Sequence, residues 1–172
     1  MLISEEYLAL QSKLHENPSY GVASLAYASL VAKYVRKTNA RGILDYGCGK
    51  GRLAIAFQSH IPWPLKFFQY DPAIPNYSAT PEPCDFVASI DVLEHVEPEY
   101  LNAVLNDLHR VTQKWGFFTV HCGPAVKFLA DGRNAHLTQQ NFYWWRLKIE
   151  SRFKIMEHAP AHGGFWVFVR SL

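Results

Sequence analysis

The chain has 172 residues, of which 49% are hydrophobic and 19% charged, with a formal net charge of +2. That composition describes one globular domain with a sizeable core and excludes a disordered chain. The small charge argues against a nucleic-acid partner or a charged membrane surface, and no run of 18 apolar residues is present to span a bilayer.

The N-terminal stretch "SEEYLALQSKL" (4–14) places Tyr7, Leu8, Leu10 and Leu14 at helical spacing, and Asn17-Pro18 breaks it. "GVASLAYASLVAKYVRK" (21–37) predicts a long helix with basic residues in its last turn. "GILDY" (42–46) predicts a buried strand and "KGRLAIAFQSH" (50–60) a helix opening from a glycine loop. "LKFFQY" (65–70) is a second strand ending at Asp71. Pro72, Pro75, Pro81 and Pro83 then exclude a helix. "FVASIDV" (86–92) is a third strand, 97–112 an amphipathic helix, and "GFFTVHC" (116–122) a fourth strand. Residues 123–137 read as a loop-like insertion, with 138–150 a helix capped by Thr138. "RFKIMEH" and "GFWVFVR" form an antiparallel pair. The sum is an α/β fold with a doubly wound, mostly parallel sheet and a C-terminal antiparallel hairpin. It is read as one domain over 1–172, with a helical cover (1–40), a cofactor-binding half (41–122), a substrate-side insertion and helix (123–150) and the terminal hairpin (151–172). Cys48, Cys84 and Cys122, odd in number and scattered, suggest reduced thiols and a cytoplasmic location.

The stretch "LDYGCGKGRLA" (44–54) carries Gly47, Gly49 and Gly51 at every second position behind the first strand. Ligands of doubly wound sheets bind at the carboxyl ends of strands, where strand order reverses. Asp71 lies 20 residues beyond Gly51, where a carboxylate accepts both hydroxyls of a ribose. The pattern is G-x-G-x-G rather than the G-x-G-x-x-G of dinucleotide folds, and Asp45 precedes it by two residues. An acid there repels pyrophosphate and suits an ammonium group, which S-adenosyl-L-methionine carries.

With "ILDYGCGKGRLA", "YDPA" (70–73) and "CDFVASIDVLEHV" (84–96) in order, the chain resembles the class I S-adenosylmethionine-dependent methyltransferases, in their small-molecule branch. The resemblance implies S-adenosyl-L-methionine as cofactor and S-adenosyl-L-homocysteine as product. It places Gly47, Gly49 and Gly51 along the methionine portion, Asp45 at its amino-acid end, Asp71 and Pro72 at the ribose, Asp91 and Val92 beside the cofactor, and Tyr20 in an N-terminal cover. Tyr20 also reads as a simple helix-entry staple.

The family's usual helix and third strand do not fit between Asp71 and Asp85, which lie 14 positions apart. Fully extended, that length still reaches about 46 Å, enough to cross a neighbouring strand. A six-stranded sheet lacking the usual third strand is expected, with adenine recognised from the proline-rich loop by Ile74, Tyr77 or backbone groups.

For the chemistry, His136 and His95 are the candidate catalytic residues, and Arg133, Asn134 and His121 the candidate acceptor contacts. His95, part of the family's "EH" signature, reads in the first place as a structural hydrogen-bonding group near the cofactor, and "DGRNAH" (131–136) reads equally as a simple turn. No metal site is expected: His158 and His162 in "HAPAH" have no clear carboxylate partner. The "FVASIDVLEH" strand lacks the endings of the nucleic-acid base methylases, so the expected partner is a small polar or sugar-like acceptor, with no nucleic acid and no membrane. Oligomeric state is not legible. The alternative function is a methyltransferase-like module that binds the cofactor, or a protein, without turnover.

Overall fold

A computed structural model describes every residue except 58 and 59. The elements run α1 (Glu5–His15), α2 (Ala23–Thr38), β1 (Gly42–Tyr46), α3 (Arg52–Phe57), β2 (Lys66–Tyr70), β3 (Cys84–Ile90), α4 (Leu101–Val111), β4 (Thr112–His121), α5 (Phe142–Glu150), β5 (Phe153–Ala161) and β6 (Gly164–Ser171). The expected end of the helix at 50–60 falls partly outside the described residues.

The six strands form one sheet in the order β2-β1-β3-β4-β6-β5. The first four are mutually parallel, and the β5–β6 hairpin joins β4 antiparallel. Side chains alternate across the strands, so neighbours in sequence feed opposite cores. Phe118, Val87 and Leu44 pack under α4 and α5, with Leu105, Leu108, Trp145 and Ile149. Phe117, Phe86 and Ile43 pack under α2 and α3, with Val31, Tyr34, Val35 and Leu53. The sheet is thus covered on both faces, as its continuous apolar runs require.

The chain from β2 to β3 contains one short 3₁₀ turn, Pro75–Tyr77, and no paired strand before Cys84. It runs beside α4, where the Arg110 guanidinium donates to the Pro81 carbonyl (3.1 Å). The missing third strand leaves β2 at the sheet edge, with Phe68 half exposed. Strand order reverses between β1 and β3, the two central neighbours of the parallel half.

Several boundaries differ from the sequence reading. Helix α4 starts at Leu101, because Pro98 belongs to a preceding turn closed by the Tyr100 N–H on the Glu97 carbonyl (2.9 Å). Strand β4 begins at Thr112, directly from the helix. Asn141, not Thr138, caps α5, its side chain accepting from the Trp144 N–H (3.0 Å). Thr138 instead pins the insertion to the turn after β3: its N–H donates to the Glu94 carbonyl and its hydroxyl to that of Val96, each at 3.0 Å. On α1 the buried residues are Tyr7 and Gln11, whereas Leu8 is exposed.

Candidate active site

The chain leaves β1 by a turn at Gly47, whose φ is 78°. A side chain there would overlap the Val92 methyls at the end of β3, so only glycine lets the two strand ends approach. The Gly47 and Cys48 N–H groups both donate to the Tyr70 carbonyl (2.7 and 3.0 Å), which ties the loop to β2. Asp71 completes the tie. Its Oδ2 accepts the Gly49 N–H and its Oδ1 the Ala73 N–H, each at 2.9 Å. Each carboxylate oxygen keeps a lone pair for another donor.

Asp45, on β1, is 2% exposed, and its Oδ2 has no hydrogen-bond partner among the described residues. Burial, reinforced by the Asp71 charge, pushes its carboxyl up to about 8. A buried carboxyl with an idle oxygen at the mouth of a glycine loop is suited to a ligand cation that carries N–H donors.

The opposite wall is built from the ends of β3 and β4 and from the insertion. Asp91 takes a left-handed φ of 51°, held by its N–H donating to the Thr119 hydroxyl (2.8 Å), which in turn donates to its carboxylate. Strained backbone of this kind needs such support. A single 3₁₀ turn, Leu93–His95, follows. Glu94 is fully buried: Oε1 accepts the His121 N–H (2.8 Å), while Oε2 has no partner among the described residues. Burial, with the Asp91 charge behind it, raises its carboxyl well above the ordinary range.

His95 Nδ1 lies 2.7 Å from the Ala135 carbonyl and His136 Nδ1 2.8 Å from that of Gly123. A carbonyl only accepts, so both protons sit on Nδ1 and both Nε2 atoms carry lone pairs. Burial lowers His95 to about 3 and moves His136 down as well, so both rings are neutral at pH 7. The two rings meet edge to face with centroids 4.7 Å apart, and His121 lies 4.9 Å from His136.

A cover from the N-terminus closes over both walls. The Tyr20 hydroxyl donates to Gln11 Oε1 (3.2 Å), the Gln11 amide donates to the Tyr7 hydroxyl, and that hydroxyl donates to the His95 carbonyl. Lys50 Nζ, in the glycine loop, donates to the Tyr20 carbonyl (3.2 Å). Between cover and walls lies a cavity of about 540 Å³, at the carboxyl ends of β1, β2, β3 and β4. Its size falls in the range of small-molecule sites, roughly 300–1,000 Å³.

Of the residues expected at the cofactor, Tyr20, Asp45, Gly47, Gly49, Asp71, Pro72, Asp91 and Val92 all border this cavity. Gly51 does not; it sits behind the loop, where a side chain would meet Gln69. His95, His121 and His136 also border it, and so does His162.

Arg133 and Asn134, expected as acceptor contacts, do not border the cavity. The Asn134 side chain accepts from the N–H groups of Ala125 (2.9 Å) and His136 (3.0 Å) and donates to the Ala125 carbonyl (2.9 Å). It braces the insertion from within. Arg133 pairs with Asp131 (2.6 Å) and lies toward Glu6 (3.9 Å), its guanidinium over the Tyr7 ring (5.9 Å), and does not itself line the cavity. Nor do Ile74 and Tyr77 reach the cavity; Pro72 and Ala73 of that loop do.

Sequence reading passed over His15 and Gln11. The signal was present: Tyr7, Gln11 and His15 recur every four residues and so stack on one helical face. Glu94 and His136, 42 positions apart, carried no local pattern that joins them.

The chain belongs to the methyltransferase domain family, which matches residues 22–170. Solved structures share its fold. The mitomycin 7-O-methyltransferase superposes with a TM-score of 0.71 at 16% identity, over 97% of this chain and 60% of that one. The chain therefore spans less than two thirds of that relative. The 1,6-didemethyltoxoflavin-N1-methyltransferase of Burkholderia thailandensis, solved with its acceptor and S-adenosylhomocysteine, gives 0.68 at 15% identity, over 99% and 91% of the two chains. The magnesium protoporphyrin IX methyltransferase of Synechocystis PCC 6803, solved with S-adenosylhomocysteine, gives 0.60 at 16% identity, over 86% and 81%. Among curated proteins no sequence matches significantly. No helix among the described residues is long and apolar enough to cross a membrane.

Proposed function

We propose that the chain is an S-adenosyl-L-methionine-dependent methyltransferase acting on a small polar acceptor. The observation that carries this reading is Asp45: a buried carboxyl with an idle oxygen, beside a glycine loop whose N–H groups are partly committed to strand and Asp71 contacts. It suits an ammonium group and disfavours a pyrophosphate. Family membership and the neighbours solved with S-adenosylhomocysteine support the same cofactor. When bound, the cofactor supplies an electrophilic methyl on a sulfonium. The chain's own residues do the remaining work. Asp45 holds the amino-acid end, Asp71 the ribose hydroxyls, and Pro72 with Ala73 flanks the base. The Tyr7–Gln11–Tyr20 network excludes water from the wall opposite. There the neutral Nε2 atoms of His95 and His136 face the space left for an acceptor and receive its polar hydrogen. Alignment and dryness account for much of the acceleration in such a displacement.

Calorimetry with S-adenosyl-L-homocysteine, S-adenosyl-L-methionine and NAD tests the cofactor. Binding of the first two and none of NAD is expected; the reverse overturns the reading. A labelled-methyl assay on fractionated extract tests turnover. Label in a small-molecule fraction is expected. Label in RNA or protein overturns the acceptor class, and cofactor binding without any transfer favours the binding-module alternative.

A further inference from the structure

The histidine wall contains a group of side chains that the methyl-transfer reading does not by itself explain. Glu94, His95 and His136 each aim one ligand atom into the same space, all three within 4.8 Å of one another. They come from two segments: the turn after β3 and the end of the 123–137 insertion. Two observations describe what this space accepts. Glu94 Oε2 is fully buried and unpartnered among the described residues, although its sister oxygen is held by the His121 N–H. Each imidazole uses Nδ1–H on a backbone carbonyl, Ala135 for His95 and Gly123 for His136, which leaves Nε2 as a fixed lone pair. That outer hydrogen bond to a carbonyl is the arrangement that orients metal-ligating histidines and selects their tautomer. No donor lies within hydrogen-bond distance of that buried carboxyl oxygen among the described residues.

We infer that Glu94, His95 and His136 form a binding site for a divalent transition-metal ion on the acceptor side of the cavity. Two imidazole nitrogens and one carboxylate oxygen favour zinc, iron(II), cobalt or manganese over the all-oxygen shells of calcium and magnesium. Ligand atoms around such an ion stand about 3.0–3.5 Å apart, given bonds of roughly 2.0–2.2 Å. The three atoms, within 4.8 Å of one another, would have to close by less than about 2 Å to reach that spacing. Three protein ligands leave coordination positions open to the cavity that His95 and His136 border. The inference rests on the methyltransferase reading, puts the ion in place of the direct hydrogen bonds from the acceptor to His95 and His136, and sharpens the reading to hydroxyl acceptors. Held by Glu94, His95 and His136, the ion would acidify an acceptor hydroxyl, whose proton would pass to His121 at the cavity border beside His136; the oxygen would form the bond to the methyl carbon as the sulfur–carbon bond breaks with its electron pair staying on sulfur.

The test uses the full chain, stripped with a chelator and titrated with cobalt(II), read by its visible absorption and by equilibrium dialysis. One equivalent per chain is expected. Glu94→Gln, His95→Ala and His136→Ala should each weaken cobalt binding at least about tenfold, and His109→Ala, at the far end of α4, should leave it unchanged. Glu94→Gln keeps an acceptor for the His121 N–H, so it stays informative if an alanine variant does not fold. S-adenosyl-L-homocysteine binding is measured on the same samples. Retained nucleoside binding without cobalt overturns the metal site and leaves the cofactor reading intact. Cobalt binding without nucleoside binding does the opposite. Cobalt affinity unchanged in all three variants places the ion elsewhere and overturns the site.

Discussion

The two walls of the cavity bury charge-bearing groups with opposite consequences. At the glycine-loop wall, burial and the Asp71 charge make Asp45 keep its proton up to about pH 8. At the histidine wall, burial and neighbouring imidazoles make His95 give up its proton down to about pH 3. The first wall waits for a cation, because only a positive ligand makes an ionised Asp45 favourable there. The second is kept neutral and rich in lone pairs, with both Nδ1 protons committed to carbonyls. One cavity therefore sets a buried carboxyl with an unpartnered oxygen among the described residues opposite imidazoles whose Nδ1 protons are committed to carbonyls. The difference arises from which backbone groups each wall leaves within reach.

The largest expected effect breaks the first wall by sterics. Gly47→Ala places a side chain at φ 78° and against Val92. The left-handed conformation and the overlap together should cost about 2–5 kcal/mol in denaturant unfolding. Val92→Ala in the same chain should recover part of that loss. A fully stable single variant would show that the loop tolerates a second conformation.

Asp45→Asn separates charge from shape. The affinity for S-adenosyl-L-homocysteine should fall by about 1.5–3 kcal/mol, at least roughly tenfold, with no loss of stability in the ligand-free protein. An unchanged affinity would remove Asp45 from the ammonium site.

The contrast between walls also sets opposite slopes of stability with pH. Asp45 is raised in the fold, so between its ordinary 3.8 and about 8 the native state binds more protons than the unfolded chain, and its contribution falls as pH rises. His95 is lowered, so between about 3 and its ordinary 6.5 the unfolded chain binds more, and its contribution is lost as pH falls. Each amounts to several kcal/mol over its full window, at about 1.4 kcal/mol per unit. Thermal melts from pH 4 to 9 should show the upper decline flattened in Asp45→Asn and the lower one flattened in His95→Gln. If neither variant alters its own slope, the walls do not differ as described.

Within the insertion, Asn134→Ala removes three hydrogen bonds that shape the segment carrying His136. A loss of about 1–3 kcal/mol in stability is expected, with turnover reduced through misplacement of that ring. The smallest effect belongs to its neighbour. Arg133→Ala removes exposed ion pairs and should change stability by no more than about 0.5 kcal/mol, with turnover intact. A large loss of turnover with Arg133→Ala would restore its role as an acceptor contact.

The element order, the parallel sheet, the terminal hairpin and the absence of the usual third strand were legible in the chain alone. Each is written locally: apolar runs of strand length, a helix-period pattern in Leu101, Val104, Leu105 and Leu108, and four prolines after Asp71 that leave a helix no room. The first wall was legible for the same reason. Gly47, Gly49 and Asp45 lie within five residues, and Asp71 ends the next strand, so neighbours in sequence remain neighbours in space. The idle oxygen of Asp45 was not legible, because a missing partner is a property of everything that packs around it. The second wall was decided by tertiary structure throughout. Glu94 and His95 meet His136 only because the insertion folds back and Thr138 bonds to the carbonyls of Glu94 and Val96. The direction of Asn134 and Arg133 was likewise open until the fold was known, since two adjacent polar residues on a loop look alike in sequence. One turns inward because backbone N–H groups inside the insertion need an acceptor, and the other outward because an unpaired guanidinium is too costly to bury.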